Sequence, residues 1–367
     1  MQDFIPYGRQ YIDDDDIAEV SKVLRSDFLT CGPYIEKFEN ALCDITGADH
    51  AVACNSGTAA LHLAMLALGV TEGDKVIVPT VTFLASANAA RYCGAKIVFA
   101  DVDAKSGLLT PDTLHEAYEC AGGEVKALVV VHLCGQLADM KAIKALCDEK
   151  NIRVIEDACH ALGGKGVGKC EYSDMAAFSF HPVKTIAMGE GGAVTTNNPA
   201  YAEKMKMLRT HGVERGDHWK YTMNDLGYNY RVPDLSCALG LSQLKKLDMF
   251  VERRRRIAKA YDAFFKGIDW AEPVLAFSED EAYHLYPILI DFEKTGKTRE
   301  EFMDELRAKN IGTQVHYIPV HAQPYYGGRL EDFPNAAEYY KKVLSLPLYY
   351  GLSDEQQNYV MKVLSDY

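Results

Sequence analysis

Residues 74–103 read DKVIVPTVTFLASANAARYCGAKIVFADVD. Two short runs rich in β-branched residues, KVIVP and KIVFADVD, flank FLASANAARYC, which has a helical pattern, so the stretch reads as strand, helix, strand. The alternation continues to about Thr196, with KALVVVH, RVIED, MAAFSF and GGAVTTN as further strands and DTLHEAYEC and DMKAIKALCDEK as further helices. The last two helices open with Asp at a position suited to an N-cap. A chain that alternates in this way is an α/β protein with a mostly parallel sheet covered by helices on both faces.

Upstream, DDDDIAEVSKVLRS and YIEKFENALCDIT read as amphipathic helices, the aspartates complementing the dipole at a helix start. Downstream of Pro233 come two helical stretches, DLSCALGLSQLKKLDMF and VERRRRIAKAYDAFFKG. Four consecutive arginines wind right round a helix, which predicts a solvated, ion-paired surface. From Tyr283 a second alternation starts, with HLYPILI, the helix TREEFMDELRAKN, a strand-like TQVHYI and two closing helices. The expected division is a large domain over 1–267 and a smaller C-terminal α/β domain over 268–367.

The 367 residues are 48% hydrophobic and 25% charged, which suits a globular chain and excludes disordered and fibrous classes. Lys and Arg number 39 against 52 Asp and Glu, a net charge of −13 that disfavours nucleic acid and acidic membrane surfaces as partners. No apolar run approaches 18 residues and the start lacks a signal-peptide core, so a cytoplasmic location is expected. The 10 cysteines are scattered without C-x-x-C pairs or regular Cys/His spacing, and no metal site is expected.

Three segments could carry chemistry. Asn55-Ser56-Gly57-Thr58 precedes the apolar helix LHLAMLALG, so small residues meet the unsatisfied N–H groups of a helix start, which binds phosphate readily. Ser56 or Thr58 also suits an ordinary N-cap. RVIEDACHALG places Glu156 and Asp157 at the end of a strand, where α/β sheets bind ligands, with His160 three residues on. Asp157 could equally cap the following turn. FSFHPVKTIAMGEGGAVTT carries a single lysine, Lys184, between a strand and a glycine turn, where a desolvated amine becomes nucleophilic. Gly163 to Cys170 imitates the P-loop spacing, but Cys170 replaces the magnesium-binding hydroxyl and the flanking elements are wrong, so it reads as a glycine-rich turn.

In order, N-S-G-T-A-A-L (55–61), V-P-T-V-T-F-L-A-S-A-N-A (78–89), E-D-A-C-H-A-L-G (156–163), F-S-F-H-P-V-K-T (178–185), G-E-G-G-A (189–193), L-R-T-H-G (208–212) and Y-N-Y-R-V-P-D (228–234) resemble the sugar aminotransferases of the DegT/DnrJ/EryC family. The resemblance spans nearly the whole chain and implies a fold-type I enzyme that uses pyridoxal 5′-phosphate. It implies that Lys184 bonds to the cofactor aldehyde, that Asp157 pairs with the pyridinium nitrogen and that His160 contacts the ring hydroxyl. It further implies that Phe83 stacks on the ring, that Gly57, Thr58 and Ser179 bind phosphate, and that Asn229 reaches the phosphate from a partner subunit in a homodimer with composite sites.

PYGRQYIDDDDI, LTCGP, SFHPVK and VHYIPVHAQPYY look most like the branch that works in pseudaminic-acid biosynthesis. That branch moves nitrogen from L-glutamate to C4 of a UDP-linked 4-keto-6-deoxy N-acetylhexosamine. Tyr7, His316 and Tyr317 match substrate-contact positions. Ala187-Met188 departs from the threonine usual before the glycine turn. The alternatives are an aminotransferase for a bacillosamine- or perosamine-type sugar, a sugar dehydratase or a non-enzymatic regulator of the same fold. The dehydratase branch carries histidine at the position of Lys184, and a regulator would have lost Lys184 or Asp157, so both lysine and aspartate favour the transaminase.

Overall fold

The computed structural model describes residues 3–367. Helices α1 (Asp14–Leu24) and α2 (Pro33–Thr46) precede a seven-stranded sheet. Its strands are β1 (His50–Cys54), β2 (Lys75–Pro79), β3 (Lys96–Ala100), β4 (Val125–Val131), β5 (Arg153–Asp157), β6 (Met175–Ser179) and β7 (Gly192–Thr196), in the spatial order β1-β7-β6-β5-β4-β2-β3. Strands β2 to β6 run parallel, and β7 is antiparallel to both β6 and β1. The difference follows from the connections. Helices α4 (Leu84–Tyr92), α5 (Pro111–Cys120) and α6 (Met140–Lys150) carry the chain back between β2, β3, β4 and β5, whereas residues 180–191 join β6 to β7 without a helix and turn back on themselves, Met188 N–H bonding to the Phe180 carbonyl.

HAVAC, the edge strand β1, escaped the sequence pattern because its one β-branched residue is Val52. The helix after it, α3 (Gly57–Ala67), is buried on nearly every side, as its apolar sequence requires, and packs on the sheet. Helix α7 (Pro199–Leu208) follows β7, and the two-stranded hairpin β8 (Val213–Arg215) and β9 (Tyr221–Met223) projects beyond it. Helix α8 (Asp234–Leu244) ends earlier than its apolar sequence suggests, and α9 starts at Leu247 and runs to Phe265. The C-terminal part holds an antiparallel sheet of β10 (Ala271–Pro273), β11 (Tyr286–Ile290) and β12 (Val343–Leu346). Around it lie the single turn α10 (Phe292–Thr295) and helices α11 (Arg299–Ala308), α12 (Pro334–Lys342) and α13 (Asp354–Leu364). No helix among the described residues is long and apolar enough to cross a membrane.

Several local expectations need correction. TQVHYI forms no strand; Gln314 makes one isolated bridge to Ser345, and the sheet position beside β11 goes to the all-buried VLSL of β12. Asp139 does cap α6, but α5 is capped by Thr110, which exchanges hydrogen bonds with Thr113, leaving Asp112 in the first turn. Pro111 at the first helical position lacks the donor a helix start cannot use, and the cap lies two residues upstream of Asp112. The arginine run is not uniformly solvated. Arg254 falls on the buried stripe of α9 with Val251, Ala258 and Tyr261, and its Nη1 donates to the carbonyls of Tyr283, His284 and Leu348 at 3.3, 3.0 and 3.3 Å.

The N-terminal segment is threaded into the C-terminal core. Ile5 is fully buried, its N–H donates to the Asn310 carbonyl at 2.8 Å, and its carbonyl accepts from Gly312. Two residues on, the Tyr7 carbonyl accepts from Leu348 at 3.0 Å. The strap then reaches the connection between β6 and β7, where a Cβ on Gly8 would stand 3.9 Å from Val183 Cβ.

A buried charge pair ties the sheet edge to its helices. The Arg209 guanidinium lies 2.6 Å from Glu39 of α2 and donates at 2.6 Å to the Ala53 carbonyl of β1, while Glu39 accepts from Ala53 N–H at 2.8 Å. Replacing Arg209 by Met strands the Glu39 charge and is expected to lower the unfolding free energy by about 3 to 5 kcal/mol in urea titrations of the apoprotein. Adding Glu39→Gln, which keeps an acceptor for Ala53, should recover part of that loss; a double variant no more stable than Arg209→Met would contradict this account.

Candidate active site

The parallel pairing of β5 and β6 brings their carboxyl ends, Asp157 and Ser179, to one edge of the sheet, where α/β folds place ligands. The start of α3 meets that edge. Ser56 caps the helix through a 3.1 Å bond from Ala59 N–H, so the donors of Gly57 and Thr58 point outward at the positive end of the dipole. Two glycines permit the approach. A Cβ on Gly57 would stand 2.7 Å from Ser179 Cβ, and one on Gly192 would stand 2.2 Å from the Ser56 carbonyl oxygen.

Asp157 is buried and doubly held: Oδ2 accepts from the Ser86 hydroxyl at 2.6 Å, and Oδ1 accepts from Cys159 N–H at 3.2 Å. Ser86 in turn contacts the Thr82 hydroxyl at 2.7 Å. The cap reading and the site reading of Asp157 thus hold together. Glu156 points to the other face of the sheet, where it pairs with His132 Nε2 at 3.1 Å and accepts from Ser173. Ser86 and Thr82 went unnamed in the sequence, although both lie in the same V-P-T-V-T-F-L-A-S string as Phe83. Phe83 is the N-cap residue of α4 and is 53% exposed, its ring 5.9 Å from that of Tyr317, so an apolar face stands open beside buried polar groups.

Lys184 sits in the β6–β7 connection, which is closed on itself by bonds from Lys184 N–H to His181 and from Met188 N–H to Phe180. Burial pulls its ammonium below the usual lysine range, and the nearby groups Cys159, Asp157 and Cys134 partly oppose the shift. The strap residues Arg9 to Tyr11 line a small cavity with Lys184. His160 Nδ1 accepts from Cys134 N–H at 3.2 Å and Nε2 lies 3.2 Å from the Tyr317 hydroxyl. Burial, and then the Lys184 charge, holds His160 well below the ordinary histidine range, and the same two causes push His316 down to about 3. His316 Nδ1 is 2.8 Å from the Ser345 hydroxyl, and its ring is 5.6 Å from that of Tyr7.

Gly57, Asp157, His160, Ser179, Lys184, Phe83 and Tyr317 therefore converge, with Thr58 on the helix start and Tyr7 and His316 on the C-terminal side. Asn229 lies at the rim. Its backbone carbonyl accepts from Asn55 at 3.3 Å, two residues before Gly57, and the residue itself is exposed. His284, 4.5 Å from the His160 ring, belongs to the cluster and had no separate sequence signal, since it reads as the first residue of a strand. The P-loop imitation is a set of turns, with Lys165 at the surface paired to Asp280 at 3.0 Å.

The donor set fits pyridoxal phosphate: an enclosed amine for the aldehyde, a helix start with Ser179 for the phosphate, a buried carboxylate for the ring nitrogen and an open aromatic face for the ring.

A family model described as the DegT/DnrJ/EryC1/StrS aminotransferase family matches residues 10–365. The chain is 40% identical over 383 aligned positions to the spore coat polysaccharide biosynthesis protein SpsC of Bacillus subtilis, covering 99% of this chain and 97% of that one. It is 39% identical over 368 positions to the UDP-4-amino-4,6-dideoxy-N-acetyl-beta-L-altrosamine transaminase of Campylobacter jejuni, covering 98% and 96%. Among solved structures, the "putative sugar aminotransferase Spr1654" of Streptococcus pneumoniae in its PLP form superposes with a TM-score of 0.91 at 29% identity, covering 99% and 98%.

An amine held below its usual range costs the fold stability. Below the lowered value both folded and unfolded chains carry the proton and the cost is complete; it fades as pH rises towards the ordinary lysine value of 10.5 and is absent above it. Lys184→Met apoprotein should therefore melt at a higher temperature than the parent at neutral pH. Scanning calorimetry between neutrality and strongly alkaline pH should show that advantage shrinking, and a constant or growing advantage would contradict burial as the cause.

Proposed function

The chain belongs to the DegT/DnrJ/EryC1/StrS aminotransferase family, and from that premise we propose that it transfers the amino group of L-glutamate to C4 of a UDP-linked 4-keto-6-deoxy N-acetylhexosamine. The observation that carries the transaminase reading is the enclosure of the Lys184 amine beside Asp157 and Cys159, whose Sγ would lie 3.2 Å from a Cβ on Gly57 at the helix start. The sugar reading rests on the PYGRQ and SFHPVK strings and on the name of the Campylobacter relative.

When bound, pyridoxal phosphate supplies the electron sink that lets nitrogen pass between an amino acid and a ketone. Gly57 and Thr58 N–H groups and the Ser179 hydroxyl hold its phosphate, and Phe83 covers one face of the ring. Asp157, fixed by Ser86 and Cys159, would keep a proton on the ring nitrogen. His160 stands on the ring-hydroxyl side. Lys184 Nζ would hold the group until the amino group of glutamate displaces it, and the freed amine would then take the proton from the amino-acid α-carbon and deliver it across the site. The sugar half repeats these movements in reverse, so ping-pong kinetics are expected. Tyr7, His316 and Tyr317 contact the sugar.

A second copy completes the site in this reading. Asn229 is exposed, and the neighbouring hairpin β8–β9 leaves Trp219 82% and Tyr221 70% exposed, an apolar surface suited to a partner. Asn229 of one chain reaches the phosphate held by the other. The enzyme works in the cytoplasm. The near-equal identity to the Bacillus protein keeps a second reading, amination of another nucleotide-linked keto sugar.

Borohydride reduction of the holoprotein followed by peptide mass spectrometry should find the pyridoxyl adduct on Lys184; an adduct on another lysine would move the site. For the acceptor, kcat/KM with saturating glutamate should favour the L-arabino epimer of the UDP-linked 4-keto sugar over the D-xylo epimer by on the order of 100-fold, because about 1 Å of misplacement at the reacting carbon costs that much. Equal or reversed preference would leave the transaminase reading and transfer the substrate to the second one.

A further inference from the structure

The hydrogen bonds around His160 settle where its proton lies. Nδ1 accepts from the Cys134 backbone N–H at 3.2 Å, and a nitrogen that accepts there carries no hydrogen. The neutral ring then has its hydrogen on Nε2, which points at the Tyr317 oxygen 3.2 Å away. Tyr317 is thus the acceptor in that bond, and its own O–H hydrogen has no acceptor among the described residues. The Tyr317 hydroxyl and the Lys184 amine share the electrostatic neighbours Asp157, Cys159 and Cys134, so both face one space. Phe83 borders that space at 5.9 Å, and Tyr317 is only partly buried.

We propose that Tyr317 is a catalytic hydrogen-bond donor whose O–H, turned outward by His160, polarises the ketone oxygen of the acceptor substrate at the carbon that receives nitrogen. This rests on the keto-sugar transaminase reading above. Lys184 has one amine to serve the carbon-bound protons, and the carbonyl oxygen needs a separate donor as negative charge develops on it. A phenol pressed among buried neighbours stays protonated and can fill that role. His160 acts through Tyr317 here, as a positioning residue. No proton needs to leave Tyr317 for this effect.

Tyr317→Phe keeps the ring against Phe83 and His160 and removes only the hydroxyl. In holoenzyme, the two half-reactions are followed separately by the cofactor absorbance in single turnovers. The sugar half-reaction should slow by on the order of 100-fold, as when one oxyanion donor is lost. Binding of the keto sugar to the aldehyde form, measured by calorimetry, should weaken by no more than about tenfold, the worth of one neutral hydrogen bond. In ¹⁵N spectra of histidine-labelled protein, assigned with His160→Gln, His160 should show the Nε2–H tautomer. An unaffected sugar half-reaction, or a defect confined to the glutamate half, overturns the proposal. A displaced pH titration of the holoenzyme chromophore in Tyr317→Phe would put the hydroxyl on the cofactor ring oxygen and likewise overturn it. If the parent protein turns over neither glutamate nor any keto sugar, the failure lies with the transaminase reading instead.

Discussion

The close approach of the α3 start to the ends of β6 and β7 is the constraint from which the site follows. No side chain heavier than hydrogen fits at Gly192 against the Ser56 carbonyl, and Gly57 meets Ser179 on the other side. That contact sets the helix dipole beside a serine hydroxyl and fixes where the β6–β7 connection begins. This connection holds no helix and closes on itself through Met188 N–H and the Phe180 carbonyl, so the chain turns back antiparallel, and Lys184 is carried on the turn. Anion-binding end and amine are therefore positioned by one packing contact.

Around that frame the electrostatics hold one amine below its usual range. A histidinium beside Lys184 would add like charge in a poorly solvated place, and burial keeps His160 and His316 neutral. The Asp157 carboxylate is the opposing charge, oriented by Ser86 from α4 and by the backbone of its own turn. Enclosing the amine costs stability that the rest of the fold supplies, through burial of apolar surface such as that of α3.

Much of this was legible from the chain, for reasons of period and spacing. The strands β2 and β4 to β7 announce themselves as short apolar runs because both faces of the sheet interior are buried, and the partly exposed edge strand β3 is marked by its β-branched residues. The elements that escaped lacked such a local mark. β1 is alanine-rich, β12 follows α12 without a break, and TQVHYI has strand-forming residues whose backbone partners are taken by other segments. Arg254 shows the same limit. Its run looks like surface, and the α9 register turns that one residue inward towards three carbonyls.

What the sequence by itself determined was the α/β class, the order of the sheet-forming segments and the residue types with unusual chemistry, Lys184 and Asp157 foremost. These depend on neighbours within a few positions, which a linear reading can see. Only the tertiary structure decided that Asp157 rather than Glu156 faces the amine, that Ser86 holds it from 71 positions away, and that His160 turns its hydrogen towards Tyr317, 157 positions on. Those choices are made by contacts between distant segments, and a hydrogen bond has a direction only when both of its partners have a place.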